Sequence, residues 1–156
     1  GGMQNQVLGR MDYAVFEDVL RVNTIAPLKI AETFLPSVLA SRDKRIVAIS
    51  SSEGSIGLLN SSRLYFMRAS KAALNMIVHT LGFETAKKGV TIAAISPGSV
   101  DTKPVEGELG YGTNFKQPGV IPPAESVAGI IKVIDGMTPA QNGQFLDYKD
   151  GRVIPW

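Results

Sequence analysis

Residues 45–54 read Arg45-Ile-Val-Ala-Ile-Ser-Ser-Ser-Glu-Gly54, and residues 65–71 read Tyr65-Phe-Met-Arg-Ala-Ser-Lys71. The apolar run Ile46–Ile49 has the length and character of a strand that is buried on both faces, as in a parallel sheet covered by helices. Serines and a glycine-containing loop follow this strand, and a helical pattern then runs from about Phe66 to Lys88. Open parallel sheets bind their ligands at the carboxyl ends of their strands. We therefore predict a functional site between Ser51 and Lys71.

The chain before this stretch carries a loop pattern and then a long helical pattern. Residues 1–10 predict a loop, and Asp12 is a suitable N-cap for a helix over residues 12–40. Pro27 interrupts that helix, because a proline has no N–H to donate to the carbonyl of Asn23. The freed carbonyl either marks a simple kink or holds a water molecule.

The chain after this stretch continues the alternation of helix and strand. Val90–Ile95 has the pattern of a second buried strand and Gly143–Tyr148 that of a third, with Arg152–Ile154 as a short return arm. A helix is predicted to begin at Pro123 and to end at Gly136. Residues 103–122 are rich in Gly and Pro and predict a long loop of the kind that forms lids and binding sites.

This order of elements predicts the fold class. Alternating helices and strands favour parallel strands that are joined by right-handed crossovers. We expect an α/β chain with a partial Rossmann-like three-layer α/β/α architecture and a mainly parallel sheet of about three to four strands. The edge of the sheet formed by residues 45–50 is expected to lack a neighbouring strand. The length suits one domain over residues 1–156.

Composition excludes several classes of protein. With 44% hydrophobic and 19% charged residues, the chain has the make-up of a globular protein rather than a disordered one. The net charge of +2 comes without a basic patch, so we expect no nucleic-acid or membrane partner. The chain has no cysteine, no apolar run of membrane-spanning length and no signal peptide pattern. These features favour a cytoplasmic location, and the single His79 gives no reason to expect a metal site.

Three motifs together resemble the C-terminal part of a short-chain dehydrogenase/reductase, most closely the C-factor-like branch of that family. Residues 22–27 resemble the helix motif that carries the active-site asparagine, here Asn23. Residues 49–54 resemble the strand that carries the catalytic serine, here Ser51, and residues 68–75 resemble the helix that carries the lysine, here Lys71. The resemblance implies that Asn23, Ser51 and Lys71 are the catalytic positions.

Two further motifs extend the resemblance to the end of the chain. Residues 96–102 resemble the Pro-Gly turn of the family and, with Lys71, imply a remnant cofactor site formed by Pro97, Gly98, Val100 and Thr102. Residues 143–156, which end in Ile-Pro-Trp156, resemble the C-factor-like ending. The cofactor implied by the resemblance is NAD(P), and no metal is implied.

Met67 is the departure from the family pattern that matters most for chemistry. The family places its catalytic tyrosine four residues before the lysine, on the same face of the helix. That position holds Met67, and a thioether neither donates nor accepts the proton that a phenol transfers. Tyr65 lies six residues before Lys71, which is roughly 240° around the helix from the lysine face. We expect Tyr65 to be a loop or rim aromatic and an unlikely substitute for the missing acid.

The cofactor-binding half of the family is the second departure. The chain has no glycine fingerprint between a first strand and helix, and no residue after a second strand to bind the ribose. We therefore expect the chain alone not to bind NAD(P).

Three hypotheses follow from the sequence. The chain is a short-chain dehydrogenase/reductase homologue that has lost hydride transfer, or a non-enzymatic module that forms a homodimer or higher oligomer through the helices over residues 12–40 and 66–88. The third is an active NAD(P)-dependent carbonyl reductase, which requires the missing half from elsewhere and Tyr65 as the acid. Cofactor binding and self-association discriminate between them.

Overall fold

The computed structural model describes residues 6–102 and 118–156. Most of the predicted loop over residues 103–122, including residues 103–117, lies outside the described part. The helices and strands follow in the order β1 (Gln6–Val7), β2 (Arg10–Met11), α1 (Tyr13–Leu20), α2 (Ala26–Ala40), β3 (Arg45–Ile49), α3 (Tyr65–Ala86), β4 (Thr91–Ser96), β5 (Ser99–Val100), β6 (Val120–Ile121), α4 (Pro123–Gly136) and β7 (Gln144–Asp147). None of the helices in these two ranges combines the length and the apolarity needed to cross a bilayer.

The main sheet has three strands in the order β3-β4-β7, and both pairings are parallel. Ile49 lies opposite Ile95, and Ile95 lies opposite Leu146, so the three strands end at the same edge of the sheet. Within the described ranges β3 pairs with β4 alone, which confirms the predicted open edge. An apolar cavity of about 360 Å³, lined in part by Phe34 and Val38 of α2, lies beside this edge strand.

Two apolar clusters cover the two faces of the sheet and give the predicted three layers. Alternate residues of β4 point to opposite faces, as the two-residue period of a strand requires. Ile92 and Ala94 pack with residues of α3 such as Leu74, whereas Ala93 and Ile95 pack with residues of α4. β4 is buried because it has helices on both faces and strands on both sides. The partial Rossmann-like α/β/α fold predicted from the sequence is therefore present.

The interruption of the first long helix differs from the prediction. The sequence predicted one helix over residues 12–40 with a kink at Pro27. The structure has α1, then a π-helical turn over Arg21–Ile25, and then α2 with Pro27 in its first turn. The N–H of Ala26 donates to the carbonyl of Arg21, five residues earlier. A proline is tolerated in a first turn, so the irregularity precedes Pro27 and contains Asn23.

Two predicted loops contain short strands. The prediction of a loop over residues 1–10 was wrong for its described part, because β1 and β2 form an antiparallel hairpin that turns at Gly9 with a φ of 87°. The prediction of no strand within residues 103–122 was also wrong, because β6 pairs in parallel with β5. Both ladders are only two residues long, so they leave little periodic signal in the sequence.

Candidate active site at the carboxyl ends of the parallel strands

Lys71 connects α3 to the end of β3. Its Nζ donates a hydrogen bond of 2.8 Å to the carbonyl of Ile49, the last residue of the strand. The side chain is half-buried, and this burial lowers the pKa of the Lys71 ammonium. The structure thus brings the predicted lysine to the strand that precedes the predicted serine.

The serine-rich segment after β3 is held by hydrogen bonds from several elements. Ser51 Oγ accepts from the N–H of Glu53 at 3.2 Å, which caps a short 3-10 turn over Ser52–Gly54. The N–H of Ser52 donates to Ser96 Oγ at 3.1 Å, so the ends of β3 and β4 are joined. Ser51 therefore lies at the carboxyl edge of the sheet, where the sequence predicted it.

Asn75 fixes the turn that follows the strand. Ser50 Oγ donates to Asn75 Oδ1 at 2.5 Å, and Asn75 Nδ2 donates to the carbonyl of Gly54 at 3.3 Å. Asn75 is 2% exposed, so these bonds are sheltered from water. Asn75 was not among the site residues predicted from the sequence. Its position one helical turn after Lys71, on the same face of α3, is the signal that identifies it.

Asn23 faces the position that holds Met67. Asn23 Nδ2 donates to Ser70 Oγ at 3.0 Å and lies 3.8 Å from Met67 Sδ. Ser70 Oγ in turn donates to the carbonyl of Met67, and Thr24 Oγ1 donates to the carbonyl of Ser70 at 2.9 Å. The π-helical turn and the start of α3 are thus joined through side chains. Asn23 and Met67 meet here and Lys71 lies one turn further along α3, whereas the contacts of Ser70 and Thr24 were not predicted.

Tyr65 is the first residue of α3 rather than a loop residue, which corrects that part of the prediction. It lines a cavity of about 730 Å³ together with Arg68, Ala69 and Ala72. These residues lie on a different face of the helix from Met67 and Lys71. Leu64, which has a φ of 62°, is the last residue before the helix. Tyr65 is therefore already helical, and the helical spacing places its side chain on that other face. The geometry gives no support to Tyr65 as the acid beside Lys71.

An ion pair closes one side of the same cavity. Arg68 Nε lies 2.7 Å from Glu53 Oε2, and the Arg68 guanidinium also donates to the carbonyl and the hydroxyl of Ser61. The Arg68 side chain is 14% exposed, so these contacts are shielded more than those of an ordinary surface pair. They hold the segment between Ser51 and α3 against the helix.

The predicted remnant of the cofactor site follows β4. The carbonyl of Pro97 accepts a hydrogen bond of 2.6 Å from Ser126 Oγ. Gly98, which follows it, has a φ of 79°. Val100 belongs to β5, and Thr102 is exposed two residues beyond it. These residues follow β4, which is the neighbour of β3, so they lie at the same carboxyl edge of the sheet as Ser51.

The described residues do not provide a complete site for a dinucleotide. A pyrophosphate needs free N–H groups at a helix start and no competing negative charge. Asp12 caps α1 by accepting from Val15, and α4 begins with prolines and carries Glu125 in its first turn. At α3 the N–H of Phe66 already donates to Gln6 Oε1. The residues present therefore do not fit a whole NAD(P) molecule.

Metal chemistry has no obvious site in the described ranges. Residues 6–102 and 118–156 contain no group of three or more His, Asp or Glu side chains arranged to hold a metal ion. His79, the single histidine, hydrogen-bonds through Nδ1 to the carbonyl of Gly143 at 2.9 Å and contacts the ring of Trp156. This histidine is part of the packing between α3 and the end of the chain.

Comparison with known proteins places this arrangement in one family. The model of the short chain dehydrogenase family matches residues 1–108. C-signal of Myxococcus xanthus is 31% identical over 149 residues, which are 96% of this chain and 83% of that protein. A 1-hydroxy-2-glutathionyl-2-methyl-3-butene dehydrogenase of Rhodococcus sp. (strain AD45) is 32% identical over 159 residues, and the match spans 65% of its length.

A solved structure gives the same result for the fold. The NADPH-bound carbonyl reductase from chicken fatty liver matches with a TM-score of 0.82 and 28% sequence identity. The match covers 100% of this chain and 63% of the reductase. The chain therefore spans about two thirds of that reductase and of the Rhodococcus dehydrogenase.

Proposed function

The chain belongs to the short-chain dehydrogenase family, and on that premise we propose that it does not by itself carry out hydride transfer. The observation that carries this proposal is the contact of Asn23 Nδ2 with Met67 Sδ at 3.8 Å. A thioether occupies the place on α3, one turn before Lys71, where the chemistry needs a group that gives and takes a proton. The position that carries the family's proton-transferring phenol holds Met67 here, and this supports the proposal.

The incomplete cofactor site supports the same proposal. The starts of α1 and α4 carry acidic residues, and the start of α3 is occupied by Gln6. Lys71 and the turn from Pro97 to Thr102 offer contacts to one end of a nicotinamide cofactor by family resemblance. The pyrophosphate and the second ribose would find no built site among the described residues. NAD(P) is thus the cofactor of the family, and we propose that this chain alone binds it weakly or not at all.

Cofactor titration and an activity assay test the proposal directly. NADPH and NADH are titrated into the purified chain while nicotinamide fluorescence and heat of binding are recorded. Oxidation of NADPH is then followed with a panel of small aldehydes and ketones, with Lys71→Ala as the control. We expect no binding at micromolar cofactor and no difference in oxidation between the two proteins. Turnover well above that of Lys71→Ala would overturn the proposal.

Exposed apolar side chains on the two long helical segments favour a second candidate, a self-association module. Val22 and Ile25 are 67% and 59% exposed on the π-helical turn, and Met76 and Phe83 are 65% and 70% exposed on α3. Met76 and Phe83 are seven residues apart, so they lie on one face of the helix. We propose that the chain forms a homodimer through these helices in the cytoplasm.

The mass of the protein in solution tests the second candidate. Light scattering coupled to size-exclusion chromatography is expected to show a dimer for the unaltered chain and a monomer for Phe83→Arg. Val127→Arg, on α4, replaces another exposed apolar residue by arginine and is expected to leave the dimer intact. A monomeric unaltered chain, or a dimer in Phe83→Arg, would contradict the assembly proposal without affecting the proposal on hydride transfer.

A further inference from the structure

Lys71 combines features that favour chemistry at its own amine. Its side chain is half-buried. The hydrogen bond that Nζ donates is exposed to solvent, and its acceptor is a neutral group, the carbonyl of Ile49. A carbonyl oxygen orients an amine without the counter-charge by which a carboxylate keeps it protonated. We propose that Lys71 captures small apolar aldehydes as a covalent imine, without any cofactor.

The residues four positions before and after Lys71 on its helix are uncharged, and Arg68, three positions before it, is paired with Glu53. One turn earlier on the same face stands Met67, and one turn later stands Asn75, whose amide is engaged with Ser50 and Gly54. Glu53, on the turn that packs against α3, forms an ion pair with Arg68 at 2.7 Å. A desolvated lysine beside neutral groups is the arrangement in which lysine acts as a nucleophile.

Other lysines of the chain have different partners. Lys29 Nζ lies 2.8 Å from Glu32 Oε2, and Lys88 Nζ lies 2.9 Å from Glu84 Oε1. The Glu32 carboxylate raises the pKa of Lys29, whereas burial lowers the pKa of Lys71. The free amine that attacks a carbonyl is therefore more abundant at Lys71 than at Lys29 at neutral pH.

The proposed reaction is a condensation and needs no oxidant or reductant. The Lys71 ammonium first loses one proton to water. The lone pair on Nζ then forms a bond to the aldehyde carbon, while the carbonyl π electrons move to oxygen, which takes up a proton. The nitrogen, which carries two protons after the attack, loses one to give the carbinolamine and the second as the imine forms, while the hydroxyl takes up a second proton and leaves as water, so that one amine and one aldehyde give one imine and one water.

The surface around the amine selects the class of aldehyde. Met67 presents a thioether on one side, and the side chain of Ile49 is 45% exposed at the end of β3. Gly54 has no side chain and packs directly against the backbone and Cβ of Lys71. Small uncharged aliphatic aldehydes fit this surface better than charged ones, because an apolar group gains by leaving water there.

Reductive trapping tests the inference on the whole chain. The protein is treated with propanal and sodium cyanoborohydride at neutral pH, and peptide mass mapping gives the rate at which each lysine gains a propyl group. We expect Lys71 to be labelled at least about tenfold faster than Lys29, because burial lowers the pKa of Lys71 whereas Glu32 raises the pKa of Lys29. Equal rates at Lys71, Lys88 and Lys29 would overturn the proposal.

Two matched variants separate the local environment from simple exposure. Met67→Glu places a carboxylate one turn from Lys71 and is expected to slow its labelling, because the carboxylate favours the ammonium. Met76→Glu makes the same change on the exposed face of the same helix and is expected to leave the labelling of Lys71 unchanged. A Met67→Glu protein that folds and labels as fast as the unaltered chain would contradict the inference. No cofactor enters the assay, so its result is independent of the proposal on hydride transfer.

Discussion

Gly54 packs against Lys71 so closely that a Cβ on Gly54 would lie 2.8 Å from both the backbone carbon and the Cβ of Lys71. Real Cβ atoms do not approach neighbouring atoms to that distance. The turn after β3 and the first part of α3 are therefore in direct backbone contact. This contact determines how far Lys71 stands from the end of the strand.

Gly54→Ala is expected to destabilise the protein by about 1–3 kcal/mol, because the new methyl group meets backbone rather than a movable side chain. It is also expected to lengthen the bond from Lys71 to Ile49, since the helix must move away. Urea denaturation measures the first effect. Gly136→Ala at the end of α4 is the control, because a Cβ there has no atom within 4 Å and the change is expected to be neutral or stabilising. Equal stabilities for the two variants would show that the turn accommodates the new methyl group without loss of stability.

Asn75→Leu is expected to cost about 1–3 kcal/mol of stability, because it leaves the buried hydroxyl of Ser50 and the carbonyl of Gly54 without their partner. Ser50→Ala removes the other side of the 2.5 Å bond. A double-mutant cycle on these two positions, measured by chemical denaturation, is expected to give a coupling of roughly 0.5–3 kcal/mol. Strictly additive effects would mean that the two side chains do not act together.

Lys71→Met is expected to change how stability depends on pH. Burial lowers the folded-state pKa of Lys71 below its ordinary value of 10.5, so between these two values the unfolded chain binds more protons. The contribution of Lys71 is therefore present above about 10.5 and is lost as the pH falls through the folded-state pKa. The unaltered chain should gain stability relative to Lys71→Met as the pH rises toward 10.5.

Unfolding curves at a series of pH values check this sign, since the other titrating groups are common to both proteins. Lys29→Met is the comparison, because Glu32 raises the pKa of Lys29 and the effect of pH on stability should have the opposite sign. The unaltered chain should lose stability relative to Lys29→Met as the pH rises through that pKa. A fall in the stability of the unaltered chain relative to Lys71→Met as the pH rises toward 10.5 would refute the account of Lys71 as a desolvated lysine.

Met67→Tyr is expected not to restore NADPH oxidation. The substitution returns a phenol to the face of Lys71, one turn away, but supplies no site for the pyrophosphate. Oxidation of NADPH with small carbonyl compounds measures the outcome, with Met67→Phe as the control that matches the ring without the hydroxyl. Robust turnover by Met67→Tyr and not by Met67→Phe would show that the cofactor site is more complete than the described residues indicate.

The features that depend on local pattern could be predicted from the residues alone. The apolar run Ile46–Ile49 predicted a strand, since continuous apolar residues suit a strand that lies between helices, and the alternation of helix and strand predicted the parallel sheet. Helical spacing placed Met67 on the face of Lys71 and Tyr65 on another. These conclusions needed only the fixed periods of helix and strand.

The contacts between distant parts of the chain could not be predicted from the sequence. The π-helical turn at Arg21–Ile25, the bonds of Asn75 to Ser50 and Gly54, and the close approach of Gly54 to Lys71 have no periodic signal. The short pairing of β5 with β6 is of the same kind. Such contacts depend on which elements become neighbours, and packing among elements far apart in sequence determines that. The same packing half-buries Lys71 and leaves its amine beside the carbonyl of Ile49.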